Sequence, residues 1–106
     1  MEVVQNENIV YFDVDETLIT STIEDGQDHK YRRKIDSVCE ANVEQLIYHK
    51  RRGFHVTVWS ANGYQWALDV VLALGLQTYV DVVKTKPRSY FDDKDANEWM
   101  QRAYCD

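Results

Sequence analysis

One proline, four glycines and two cysteines are all that this 106-residue sequence contains of those types. So few cysteines exclude a disulfide scaffold, and so little proline and glycine excludes collagen-like or low-complexity chains. No apolar run approaches the ~18 residues that a membrane-spanning helix needs, so no membrane partner is expected. The opening Met-Glu-Val-Val-Gln-Asn-Glu lacks the basic start and apolar stretch of a signal peptide. A cytoplasmic protein is therefore expected, with Cys39 and Cys105 as reduced thiols. The three histidines, His29, His49 and His55, have no metal-ligand spacing and read as structural or solvated. What is present in quantity is apolar character, 44% of residues, which points to a globular fold. The length suits a single domain spanning residues 1–106. The net charge of −6 does not indicate a nucleic-acid partner.

The most informative segment is Ile9-Val10-Tyr11-Phe12 followed by Asp13 and Asp15. Its continuous apolar character is that of a strand buried on both faces. Strands in parallel sheets deliver functional groups at their carboxyl ends. Two carboxylates two residues apart repel unless a cation lies between them or one is protonated. The pair therefore suggests either a Mg²⁺ site or a nucleophile with a partnered acid. Three later features accompany it. Phe54–Trp59 reads as a strand ending in Ser60. Lys86 precedes the single proline, Pro87. Tyr90-Phe91 reads as a short strand ending in Asp92 and Asp93.

This order, Asp-x-Asp-x-Thr, strand-Ser, Lys, Asp-Asp, resembles the haloacid dehalogenase-like (HAD) superfamily of phosphohydrolases, from Ile9 to about Trp99. The resemblance implies an α/β fold, a three-layer Rossmann-like core with a mostly parallel, truncated sheet. It also implies that the Asp-x-Asp strand is central, flanked by the Ser strand and the Asp-Asp strand. A β-hairpin flap over about 18–35 replaces a cap domain. By the same resemblance Asp13 is a nucleophile forming an aspartyl-phosphate, and Asp15 is the general acid and base. Ser60, with backbone amides around Ala61 and Asn62, holds the phosphoryl oxygens. Lys86, with Lys84 as competitor, balances charge, and Thr17 braces the loop. Asp13, Asp92, Asp93 and the Asp15 carbonyl bind Mg²⁺. Asp-Val-Asp-Glu-Thr-Leu and Val-Thr-Val-Trp-Ser-Ala are also similar to the small carboxy-terminal-domain phosphatases, which are longer. The implied activity is Mg²⁺-dependent hydrolysis of a phosphomonoester in an open site. A phosphoprotein and a phosphorylated nucleic-acid end are two substrate classes in view. The alternative is a non-catalytic module that binds a metal or phosphate.

Local signals complete the expected layout. Asp25-Gly26 marks a tight turn between β-branched Leu18–Ile23 and a return arm through Lys30, Arg32, Arg33 and Lys34. Alternation puts Lys30, Arg32 and Lys34 on one face. That face either guides substrate or is merely solvated. Ser37 with Glu40 reads as a capping box, opening a helix near Val38 with Cys39, Val43, Leu46 and Ile47 on one stripe and Gly53 after its end. Asn62 reads as the cap of a helix through Trp66, Val70, Val71 and Leu74, ended by Gly75. Tyr79–Val83 reads as a strand. Asp95 with Glu98 caps a final helix carrying Trp99, Met100 and Ala103. Trp59 is expected in the core. An Asp-Asp strand at the sheet edge leaves either a monomer or a homo-oligomer formed through that edge.

Overall fold

The computed structural model describes residues 1–25 and 31–103. In chain order the elements are β1 (Ile9–Asp13), β2 (Ile19–Asp25), β3 (Tyr31–Val38), α1 (Glu40–Arg51), β4 (His55–Ser60), α2 (Tyr64–Ala73) and β5 (Val82–Thr85). A 3₁₀ turn follows at Ala96–Glu98. The parallel sheet has the order β1-β4-β5, and β2 pairs with β3 in a separate antiparallel hairpin. The fold is thus α/β, with the expected hairpin between the first strand and the first helix. Gly26, His29 and Lys30, and with them the Asp25-Gly26 turn, lie outside the described residues, as does Cys105.

Two steps in the same direction across a parallel sheet, each made by a right-handed crossover, place both helices on the same side. The core shows this. Phe12, Val56 and Val58 from the strands meet Leu46 of α1 and Ala67, Val70 and Val71 of α2, joined by Val14, Leu18, Ile19 and Leu76. The opposite face presents Ile9, Tyr11, His55, Thr57, Val82 and Lys84, which with Glu2 and Val4 line a groove of about 270 Å³. The described residues therefore build two layers, where three were expected. The strand β1 forms an edge, where a central strand buried on both faces was expected. Its residues alternate accordingly, Phe12 being buried while Ile9 and Tyr11 are exposed.

The other expectations divide by whether tertiary partners exist. The helix α1 carries Glu40 in its first turn and His49, Lys50 and Arg51 in its last, matching the macrodipole. Gly53 and Gly75 follow the two helices with φ of +88° and +68°, a conformation a side chain would strain. The Ser37–Glu40 box does not form. Ser37 stays in β3, where its hydroxyl meets that of Thr20, and Cys39 takes the N-cap position. The third parallel strand begins three residues later than expected, because Asp81 is used as a staple. Its amide donates to the Val56 carbonyl (2.9 Å), and its carboxylate accepts from the Val56 amide (2.8 Å) and Lys50 Nζ (2.7 Å).

No strand forms at Tyr90–Asp92. Local bonds take its place, from the Lys94 amide to Asp92 Oδ1 (3.0 Å) and from the Ala96 amide to the Tyr90 hydroxyl (2.9 Å). Such contacts compete with a ladder, and Phe91 is left fully exposed. The final helix shrinks to the 3₁₀ turn, in which the Asp95 amide donates to Glu98 Oε2 at 2.8 Å. Trp99 there is largely exposed, so no apolar face pulls the turn into a longer helix.

Candidate active site at the carboxyl end of the sheet

The segment after β1 is a tight loop built on one carbonyl. Val14 O accepts from the amides of Thr17 (3.2 Å), Leu18 (2.9 Å) and Ile19 (3.2 Å). Glu16 adopts φ +64°, a left-handed conformation uncommon for a non-glycine residue. Fully buried Val14 and Leu18 anchor the loop in the core. Thr17 contributes through its backbone, its carbonyl accepting from the side-chain amide of buried Asn42 (2.9 Å). Asn42 is a brace that helical periodicity does not reveal, because it lies on the buried face of α1 as a polar residue.

The loop separates two carboxylates with opposite surroundings. Asp13 pairs with Trp59 in the ladder, and among the described residues its carboxylate has no hydrogen-bonding partner. Asp15 is held from three directions. Ser21 Oγ of β2 donates to Oδ1 (2.5 Å), and Asn62 Nδ2 donates to Oδ2 (2.9 Å). Trp66 Nε1 of α2 donates to Oδ2 at 3.2 Å, with Oδ1 at 3.4 Å. Arg33 of β3 lies behind this shell, its Nη2 donating to Asn62 Oδ1 (3.2 Å) and its Nη1 making a longer contact with Ser21 Oγ (3.4 Å). The basic cluster is thus divided. Arg33 turns in, half-buried, while Arg32 and Lys34 are exposed and Lys34 pairs with Glu24 at 3.8 Å. Arg33 and Trp66 were not foreseen as site residues. Their long polar-tipped side chains alternate with core positions and give no distinct signal.

Asn62 is therefore a ligand of Asp15 instead of a helix cap, and Gly63 occupies the N-cap of α2. Hydrogen bonds to charged groups are roughly twice as strong as neutral ones, which favours this use of the side chain. Ser60 is buried, and its Oγ accepts from the Asn62 amide (3.0 Å), closing a local turn. Ala61 is exposed beside it. The Lys86 amide donates to the Ser60 carbonyl (2.9 Å), extending the β4–β5 ladder and bringing the Lys-Pro pair to the same rim. Trp59 stands outside the core, stacked on Tyr11 on the open sheet face with ring centroids 4.3 Å apart. Lys84 Nζ lies 5.2 Å from the Tyr11 ring and 5.5 Å from Trp59, and Lys86 Nζ lies 6.0 Å from Trp59. Both lysines thus reach the Trp59 ring.

Asp92 and Asp93 are exposed, on the segment that forms no strand. Among the described residues no group of three or more His, Cys, Asp or Glu side chains is placed to share a metal ion. The ligand set expected for Mg²⁺ is therefore not assembled. His49 is structural, its Nδ1 donating to the Gln45 carbonyl (2.7 Å) and its ring edge-on to Phe54. No helix among the described residues is long and apolar enough to cross a membrane. Comparison with known proteins finds no matching family model, no matching curated protein and no matching solved structure.

Proposed function

We propose that this chain is an HAD-like phosphohydrolase, cleaving phosphomonoesters through covalent attack by Asp13. The observation that carries the reading is the contrast between the two carboxylates. Asp13, at the carboxyl end of a parallel strand, has no hydrogen-bonding partner among the described residues, as suits a nucleophile. Asp15, two residues on, is fixed by three donors from β2, the β4–α2 loop and α2. A carboxylate offers about four acceptor sites, so one is left for a transferred proton.

In the proposed first step an Asp13 oxygen bonds to phosphorus, the bond to the ester oxygen breaks, and Asp15 gives that oxygen a proton. In the second, Asp15 takes a proton from water, whose oxygen bonds to phosphorus as the Asp13–phosphorus bond breaks. Lys84 and Lys86 supply positive charge at the rim. One feature favours the non-catalytic alternative. The Asn62 amide, expected on the phosphoryl group, donates instead to Ser60 Oγ, whose own proton is not used in that bond.

The test is a panel of aryl phosphates, nucleotides, phosphopeptides and phosphorylated oligonucleotides, assayed with Mg²⁺ and with chelator. The expected result is turnover of at least one member, lost by ~10⁴-fold or more in a folded Asp13→Asn variant, the order of a missing nucleophile. No turnover of any member, or full turnover by the variant, overturns the reading.

A further inference from the structure

We infer that Arg33 is a positioning residue that orients Asp15 through two neutral intermediaries, Ser21 and Asn62. The kinetic part of this inference rests on the function proposed above, while the geometric part stands without it.

The argument is one of donors and acceptors. A guanidinium only donates, and an ionised carboxylate only accepts. Asn62 lies between one of each, with Oδ1 3.2 Å from Arg33 Nη2 and Nδ2 2.9 Å from Asp15 Oδ2. Turning the amide over would set donor against donor and acceptor against acceptor, so Arg33 leaves Asn62 a single orientation. Ser21 is in the same situation. Its Oγ receives Arg33 Nη1 at 3.4 Å, so its one proton is directed to Asp15 Oδ1, 2.5 Å away. One side chain thereby sets the polarity of a donor to each carboxylate oxygen. Removing Arg33 leaves the carboxylate alone to hold the hydroxyl and the amide in these orientations, and the contact of Asp15 with both loosens.

Position in the fold gives this contact a second consequence. Arg33 and Ser21 belong to the two arms of the hairpin, whereas Asn62 belongs to the β4–α2 loop of the main sheet. The β2–β3 ladder is separate from the parallel sheet. Side-chain ties from the hairpin to the site therefore run through Ser21–Asp15 and Arg33–Asn62, beside the backbone bonds that Ile19 makes to the loop. The guanidinium suits this use better than an ammonium, since its planar fork addresses two acceptors at fixed separation.

Trp66 supplies an independent reporter. Its Nε1–H donates to the Asp15 carboxylate but lies outside the Arg33 contacts. The three tryptophans give three indole N–H resonances, and Trp66→Phe assigns the one of interest. The experiment compares wild type, Arg33→Ala, Arg33→Lys and, as an exposed neighbour, Arg32→Ala. In Arg33→Ala the Trp66 indole resonance should move while the other two stay. Arg33→Lys should show the same displacement in part, and Arg32→Ala none. Millimolar guanidinium should return the Arg33→Ala resonance toward its wild-type position. On any phosphomonoester the protein turns over, Arg33→Ala should lower kcat by ~10-fold to 10²-fold, the scale of a charge-assisted hydrogen bond, with KM little changed. That loss should vanish in an Asp15→Asn background. A Trp66 resonance unmoved in folded Arg33→Ala overturns the inference, as does one that moves equally in Arg32→Ala. If the alanine variant does not fold, a wild-type Trp66 resonance in Arg33→Lys overturns it as well. Should the wild type turn over no substrate, the function proposed above fails, and the resonance alone decides the role of Arg33.

Discussion

Asn62 and Asp15, 47 residues apart in the chain, are joined by a hydrogen bond of 2.9 Å from side-chain amide to carboxylate. This bond ties the loop after the first strand to the loop after β4, the two connections that a parallel sheet brings together at one rim. It also removes Asn62 from the capping position that its place before a helix suggests. Three consequences of the wider arrangement can be measured.

Asp15→Asn should lower kcat by at least the ~10²-fold expected on loss of a general acid. The loss should be smaller for a leaving group that needs no protonation, such as a nitrophenolate, than for an alkoxide. Rates across a series of leaving groups check this, and an equal loss for all of them would contradict the acid role.

Asp81 is the corresponding tie at the other end of the sheet. Burial pushes its carboxyl up, but the hydrogen bonds from Lys50 and the Val56 amide, with the charges of Lys50 and His55, bring it to a net value below the ordinary one. A lowered folded-state value means that the charged form stabilises the fold. That contribution is complete above the ordinary carboxylate range and fades as pH falls through the still lower folded-state value. Asp81→Ala should cost about 1–3 kcal/mol at neutral pH, since it leaves the Val56 amide without its partner. The gap to wild type should narrow below about pH 4. Urea unfolding at pH 7 and pH 3 measures both.

Asn42→Ala should destabilise the protein by about 1–3 kcal/mol, because the Thr17 carbonyl loses its donor in a part-buried setting. The effect should extend beyond stability, since that carbonyl belongs to the loop bearing Asp13 and Asp15. Hydrogen exchange at Thr17, Leu18 and Ile19, whose amides converge on Val14 O, should accelerate more than exchange in β4. Equal acceleration in both would mean only global destabilisation.

The sequence by itself determined the elements whose signals are local. The apolar runs at Ile9–Phe12 and Phe54–Trp59 became β1 and β4, the β-branched stretch after Leu18 became a hairpin arm, and Gly53 and Gly75 ended their helices. In each case the backbone conformation follows from the residue's own sterics or from the period of its neighbours. Tertiary structure alone decided the fate of the polar residues. Ser37, Asn62 and Asp81 each had a local use, but each met a partner distant in sequence: Thr20, the Asp15–Arg33 network, and the Lys50–Val56 pair. It also decided how many layers cover the sheet and which strand lies at its edge. Two right-handed steps in one direction left Tyr11 and Trp59 on an open face, because only assembled strands and helices specify which side of a residue meets protein and which meets water.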